Sequence, residues 1–419
     1  MKNVLFISYE FPPKINIGSL QACTYARYLQ NFGWNPHVLT VRKGGFGEPV
    51  DELLMNKIPS EVQITRTGYL EVRQPSLLFR KFPESRLAHA LIRLWDNLPP
   101  DEQIGWLPFA YFQAMRIICS QQIDAIYTLS GPYTSHLIGY LLKKKTGLPW
   151  AAHFGDEWTQ NPNRTYPLAL QRKIDAMLEQ WTLNSADQIV LAWPGMVSLF
   201  PIDISTKSSA VTLSFDETNF QRLSDKKRTD KFCITYTGSL YNYRKATSFL
   251  RAMEDLLSEK QLAIDRVELL FMGQARSVAF SGFENSLASK VIRCVGLLPH
   301  CQVFDHLKQA SVLLLIMDQL NRAKHCIQGK TFEYIASGRP IIALGPCEGA
   351  TPEIIRRTKT GVVVNYDDIE GIKTAILSMY NRWEKGDLSI EPDWQEISRH
   401  EAKEVTRKLS QILDLITEK

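Results

Sequence analysis

The sequence predicts an α/β protein made of two successive doubly wound βα series, each with its own open parallel sheet. Three observations carry this reading. Short apolar runs recur along the 419 residues, each followed by a loop and an amphipathic helix, which is the alternation that builds parallel sheets. That length exceeds one ordinary core, and two domains of about 200 residues are the natural partition. Finally, the strand that opens each half runs into a glycine-bearing loop at a helix start, Gly18-Ser19 in the first half and Gly238-Ser239 in the second.

In chain order, Asn3 to Ser8 reads as the first strand and Leu20 to Phe32 as the first helix, with Gly33 ending it. Asn35 to Val41 is the second strand, and Val62 to Thr65 a shorter one. Helices follow over Trp106 to Gln121, Thr134 to Lys145 and Gln171 to Ser185, alternating with strands at Asp124 to Leu129, near Pro149 to His153, and at Gln188 to Ala192. From Asp216 to Lys231 the pattern turns polar and charged, as expected of a linker. The second series has strands at Phe232 to Tyr236, Val267 to Met272, Val291 to Val295, Ser311 to Met317, Pro340 to Leu344 and Val362 to Asn365. Its helices are expected at Ala246 to Ser258, Val303 to Gln309, from Lys330, and from Asp367. Thr351-Pro-Glu reads as an N-cap with proline at the first helical position. A last helix is expected from Ile397 to Thr417. The boundaries this implies are 1–215, 216–395 and a terminal helix over 396–419.

Composition narrows the class. Hydrophobic residues make up 44% and charged residues 22%, as in soluble globular proteins. No apolar run approaches the ~18 residues that span a bilayer. The opening MKNVLFISYEFPP reads as a first strand, not a secretory signal. Seven cysteines without CxxC spacing argue against a disulfide framework or a zinc site, and point to the cytoplasm. A net charge of +5 without basic runs makes nucleic acid a poor partner. Residues 73–93 combine Arg73, Arg80, Lys81, Arg86 and Arg93 with apolar side chains. Such a helix can pack on its own domain or lie on an anionic membrane at the inner face.

The candidate site residues lie where strands end and helices begin. Loops of this kind offer free N–H groups to an anion. Lys330, Thr331 and Glu333 open the helix after Gly329, the lysine as a cation and the glutamate as an acceptor for sugar hydroxyls. Arg244 and Lys245 sit at the mouth after Gly238 and Ser239, a pairing suited to a diphosphate. His153, Asp156 and Glu157 follow a strand end, the place where ligands bind in open α/β sheets.

These motifs resemble the retaining GT-B glycosyltransferases of the family 4 group, over nearly the whole chain. IYTLSGPYTSHLIGYLLKKKTGLPWAAHFGDEWTQNP is similar to a strand ending near the acidic segment of bacterial polysaccharide-type members. Asp156 and Trp158 match there, and Gly155 replaces the usual arginine. PPDEQIGWLPFA resembles the same subgroup. YTGSLYNYRKATSFL resembles the donor-phosphate loop, matching at Gly238 and Lys245, with Ser239 in place of arginine. GKTFEYIASGRPIIA resembles a variant of the paired-glutamate motif; Glu333 matches the second glutamate, and His325 occupies the position of the first.

The resemblance implies a GT-B fold, two Rossmann-like domains facing a central cleft with the last helix crossing back to the first domain. It implies transfer of a sugar with retention from a nucleotide sugar, UDP-linked by preference, to a sugar or lipid-linked sugar acceptor in surface polysaccharide or glycoconjugate synthesis. No cofactor or bound metal is implied. Lys245, Glu333 and His153 would then be catalytic, and Gly18, Ser19, Asp156, Gly238, Ser239, Arg244, Lys330 and Thr331 donor-binding. Alternatives on this fold are a UDP-sugar epimerase and a degenerate sugar-nucleotide-binding scaffold.

Overall fold

The computed structural model describes residues 1–43, 45, 50–70, 98–161, 164–221, 230–240, 244–273, 280–298, 300–319 and 324–418. The basic stretch 73–93 lies outside the described residues. The chain divides into two compact units, Met1–Leu213 with Ala402–Lys419, and Ser214–Glu401.

Unit 1 holds a seven-stranded sheet of β1 (Lys2–Ser8), β2 (Trp34–Val41), β3 (Gln63–Thr67), β4 (Ala125–Leu129), β5 (Trp150–Phe154), β6 (Gln188–Leu191) and β7 (Ser208–Ala210). Its order is β3-β2-β1-β4-β5-β6-β7, and every pair is parallel. Both sheet faces are covered, so the central strands β1, β4 and β5 are buried nearly throughout and do not alternate. Leu5, Ile7, Ile126 and Phe154 pack beneath the helices Leu107–Ser120, Thr134–Thr146 and Ala169–Ser185. Val4, Phe6, Tyr127 and Ala151 face the opposite side, against Ile17–Tyr28 and Ala402–Thr417. Fully burying each valine, leucine, isoleucine or phenylalanine among them contributes about 1.5–3 kcal/mol. The last helix is thus part of the first unit's core, with Val405, Leu409 and Leu413 inside it.

Unit 2 repeats the plan with β8 (Phe232–Thr237), β9 (Val267–Met272), β10 (Ile292–Gly296), β11 (Val312–Ile316), β12 (Ile341–Leu344) and β13 (Gly361–Val364). The order is β10-β9-β8-β11-β12-β13, again parallel. In each unit the chain winds outward from a central strand and then returns to its other side. The switch of direction falls between β1 and β4, and between β8 and β11. That is where open α/β sheets form a crevice beyond the strand ends.

Four expectations are corrected. The terminal helix is two helices, Trp394–Ser398 and Ala402–Thr417. Between them the His400 carbonyl accepts the Phe215 N–H at 3.1 Å instead of continuing the helical ladder. The helix expected to be capped by Thr351 starts at Ala350 with Gly349 as N-cap. The linker contains a short helix, Thr218–Gln221. The seventh strand, Ser208–Ala210, was unexpected because Ser-Ser-Ala has no apolar run. Among the described residues no helix is long and apolar enough to cross a membrane.

Candidate functional site

At the switch point of unit 2, β8 ends at Thr237, and Asp318 stands two residues beyond β11. The Lys330 ammonium reaches this point from its helix and donates to the Thr237 carbonyl at 2.6 Å. It also lies 3.9 Å from the centroid of the Tyr236 ring, a favourable cation–π distance. Beside it Arg244 donates through Nε and Nη2 to Oδ1 of Asp318, at 2.9 and 2.6 Å. Burial pushes Lys330 well below the ordinary lysine range, and the Arg244 charge adds to this, while Asp318 and Glu333 pull it partly back. Asp318 is thus the close partner of Arg244, and it acts on buried Lys330 only at longer range, as half-buried Glu333 does.

The surrounding fold fixes this geometry. The Tyr334 hydroxyl accepts the Thr237 N–H at 2.9 Å and donates to the Leu314 carbonyl at 3.3 Å, tying β8 to β11. Gly273 has φ +127°, and a Cβ there would stand 2.5 Å from the Gly238 carbonyl oxygen, so a side chain would displace the Gly238 loop. The Thr331 hydroxyl and Gln328 Oε1 are buried with no hydrogen-bond partner among the described residues. Such groups are costly unless something bonds to them. The Lys330–Ala336 helix has seven residues, so its dipole is a minor term and the side-chain cations dominate. Chemically, the arrangement can hold a polyanion such as a diphosphate, with neutral hydroxyl and amide groups beside it.

The structure brings together Gly238, Arg244, Lys330, Thr331 and Glu333 of the expected residues. Ser239 is half-buried, and its carbonyl accepts from the Tyr236 hydroxyl at 3.1 Å. Lys245, expected to lead the site, is exposed, whereas its neighbour Arg244 is buried. Asp318, Tyr236 and Tyr334 were missed. A polar residue directly after the apolar run Val312–Ile316 was the available signal for Asp318.

At the switch point of unit 1 the chemistry differs. Asn16 caps the first helix by accepting the Ser19 N–H at 2.8 Å. The Ser19 hydroxyl and Glu10 Oε2 are buried without a partner among the described residues, and Glu10 Oε1 accepts from Lys14 at 2.9 Å. Gly18 lies over Glu10, with room for no more than ordinary contact at its Cβ position, 3.4 Å from the Glu10 Cβ. His153 is fully buried on β5, its Nδ1 2.6 Å from the Tyr127 hydroxyl. That hydroxyl pairs with Tyr25, which in turn accepts from Gln21, so the chain of contacts leads back to the first helix. Burial lowers the His153 pKa to about 3. The ring is sealed from solvent at this position, and its Nε2 lacks a partner among the described residues. Asp156 is exposed just beyond β5. Among the described residues no three His, Cys, Asp or Glu side chains cluster as metal ligands.

The family model for glycosyl transferases group 1 matches residues 231–382, and the model for a glycosyl transferase 4-like domain matches residues 20–201. No curated protein matches the chain by sequence. Among solved structures, a sucrose-phosphate synthase of Thermosynechococcus elongatus aligns with TM-score 0.62 at 13% identity, covering 100% of this chain and 97% of that one. HepE of Anabaena, in complex with UDP and glucose, aligns with TM-score 0.62 at 11% identity over 99% and 100% of the two chains. A Listeria monocytogenes protein described as a candidate UDP-N-acetylglucosamine 2-epimerase aligns with TM-score 0.57 at 11% identity over 98% and 95%. At such identities the structural likeness establishes the fold alone, while the two family models cover both units. The chain belongs to the GT-B glycosyltransferases of the family 4-like type.

Proposed function

We propose that the protein moves a sugar from a nucleoside-diphosphate sugar, UDP-linked by preference, to an acceptor hydroxyl with retention of configuration and without a bound metal. The observation that carries this reading is the pair of buried cations, Arg244 and Lys330, at the switch point of unit 2. When the sugar–oxygen bond breaks, negative charge grows on the β-phosphate. Preorganised donors that meet this charge lower the barrier, and one such donor commonly accounts for about 2.7–4 kcal/mol. Glu333 and the unpartnered Thr331 hydroxyl would bond hydroxyl groups of the nucleotide or sugar. The preference for UDP draws on the complex of HepE with UDP and glucose. The acceptor is proposed to be a sugar or lipid-linked sugar in surface glycoconjugate synthesis, at the cytoplasmic side of the membrane.

Thermal shift against UDP, GDP, dTDP and their sugars tests this, with Lys330→Met as control. A ligand at 100 times its Kd adds about 2.7 kcal/mol of stability. Stabilisation by one nucleotide class, abolished in the variant, supports the reading; no response to any of them refutes donor binding. Product analysis then separates transfer from epimerisation, the second activity suggested by the Listeria neighbour. Epimerisation requires acid–base groups open to substrate. His136 and His153 are fully buried and so are not open to substrate, which favours transfer.

A further inference from the structure

Unit 2 contains a second concavity, of about 580 Å³, within the size range of small-molecule sites. It lies away from the nucleotide crevice. Ala336 and Ser337 line it, at the far end of the helix whose first residue is Lys330. Along that helix Lys330 and Ala336 stand about 9 Å apart, at 1.5 Å per residue. The aromatic and acidic lining comes from the two ends of the unit, with Phe215, Glu217 and Phe220 ahead of its first strand and Trp394 and Glu401 after its last. The ends are tied together: the Phe215 N–H donates to the His400 carbonyl at 3.1 Å, and Phe215 forms a β-bridge with Glu401. These residues lie outside the segments 20–201 and 231–382 that match the family models, so they are not among the side chains that place the chain in its family.

The rings are held in place. Phe220 meets Phe215 and Phe304 in edge contacts, with centroids 5.9 and 5.1 Å away and planes at 90° and 78°. Trp394 is 56% exposed, yet its indole rests on Gly338, where a Cβ would stand 3.1 Å from Trp394 Cη2. The polar atoms around these rings are mostly acceptors. The Ser337 hydroxyl donates to the Tyr334 carbonyl at 2.6 Å and the Ser398 hydroxyl to the Gln395 carbonyl at 3.0 Å, which leaves lone pairs on both oxygens. Glu217 and Glu401 add carboxylates. Lys308 brings a cation, whose ammonium donates to the Phe220 carbonyl at 3.2 Å. Two carboxylates against one ammonium leave the lining with a net charge of −1.

We propose that this cavity binds a small organic cation, a primary ammonium on an apolar body. Negative charge and an excess of acceptors select the ammonium, which brings three donors. The rings favour the same ion, because an aromatic face attracts a cation electrostatically, and the apolar body would replace water on the exposed indole. A neutral sugar would ask for donors as well as acceptors, and both serine hydroxyl protons are already engaged by the backbone. An anion would meet Glu217 and Glu401. The site is separate from the transferase reading and uses none of the residues assigned to the nucleotide.

Titration calorimetry of the full chain tests this with benzylammonium and benzyl alcohol, which share a shape and differ in charge. Benzylammonium should bind more tightly by about tenfold, an advantage that declines with salt. Trp394→Leu keeps an apolar side chain and removes the ring face, so it should weaken benzylammonium by about tenfold and benzyl alcohol much less. Glu217→Gln with Glu401→Gln keeps the shapes and should bring the two compounds to equal affinity. Melting temperature and nucleotide response of both variants should stay at wild-type values, which separates failure here from failure of donor binding. Wild-type protein that binds neither compound overturns the proposal. So does benzyl alcohol binding as tightly as benzylammonium, which would make the cavity a purely apolar pocket. Benzylammonium binding unchanged in both variants would place the cation elsewhere and overturn it too.

Discussion

The two switch points share a topology and differ in charge. In unit 2 the crevice beyond β8 and β11 holds Arg244 and Lys330 around Asp318. In unit 1 the corresponding ground beyond β1 holds Glu10 and Ser19, and His153 is buried within β5. A winding sheet therefore supplies a place for a ligand, and the side chains at the strand ends decide its charge. Unit 2 presents basic side chains there, and unit 1 a carboxylate paired with Lys14 beside a buried hydroxyl.

The sharpest way to break this contrast is to remove the cation of unit 2. Lys330→Met should lower turnover of the nucleotide sugar by about a hundred- to a thousandfold, read as nucleotide release, with nucleotide stabilisation lost. Burial depresses the Lys330 pKa, and a bound diphosphate, which favours the charged ammonium, would raise it. Nucleotide affinity should then fall as pH rises through the depressed value of the free protein, and this slope should vanish in Lys330→Met, as calorimetry in buffers of different ionisation enthalpy would show.

Arg244→Ala leaves Asp318 as an uncompensated, largely buried charge, an effect of about 3–5 kcal/mol. Chemical denaturation should show unit 2 weakened, and Arg244→Ala with Asp318→Ala together should recover much of that stability without recovering nucleotide binding. Gly273→Ala should push on the Gly238 carbonyl, weakening nucleotide binding by about tenfold, or roughly 1.4 kcal/mol.

In unit 1 the expected effect is on stability and has its own pH sign. Burial raises the Glu179 pKa from 4.5 to about 7, so its contribution is full below 4.5 and is lost as pH rises through 7. Glu179→Gln should therefore raise the melting temperature at pH 8, by a few degrees, and the gain should shrink toward pH 4.5. The smallest effect expected is that of Lys245→Ala, which removes an exposed charge. Turnover within about threefold of wild type, as for a solvent-screened charge, would confirm that Arg244 and Lys330 are the working pair; a loss as large as that of Lys330→Met would return Lys245 to the site.

These expectations also show what was legible in the chain. Strand ends, glycine loops and the Lys330 helix could be read because apolar runs and punctuating glycines are local signals. The burial of Arg244 beside an exposed Lys245 could not, because it depends on Asp318, 74 positions away. His153 stood at a strand end as expected, but its burial follows from Tyr25 and Tyr127, which come from other elements. The break at His400 depends on the remote Phe215 and has no glycine or proline to announce it.

The last helix has a consequence for how the chain is made. Val405, Leu409, Ile412, Leu413 and Ile416 complete a core whose other members lie within the first 213 residues. During synthesis that core stays open on one side while Ser214–Glu401 is translated, about 10–40 s at 5–20 residues per second. Unit 2 is a contiguous segment and has its whole sequence available before unit 1 does. A chain truncated after Glu401 would therefore hold a complete second unit and an unsealed first one, whose bare flank of Phe6, Tyr25 and Tyr127 is the natural target for chaperones.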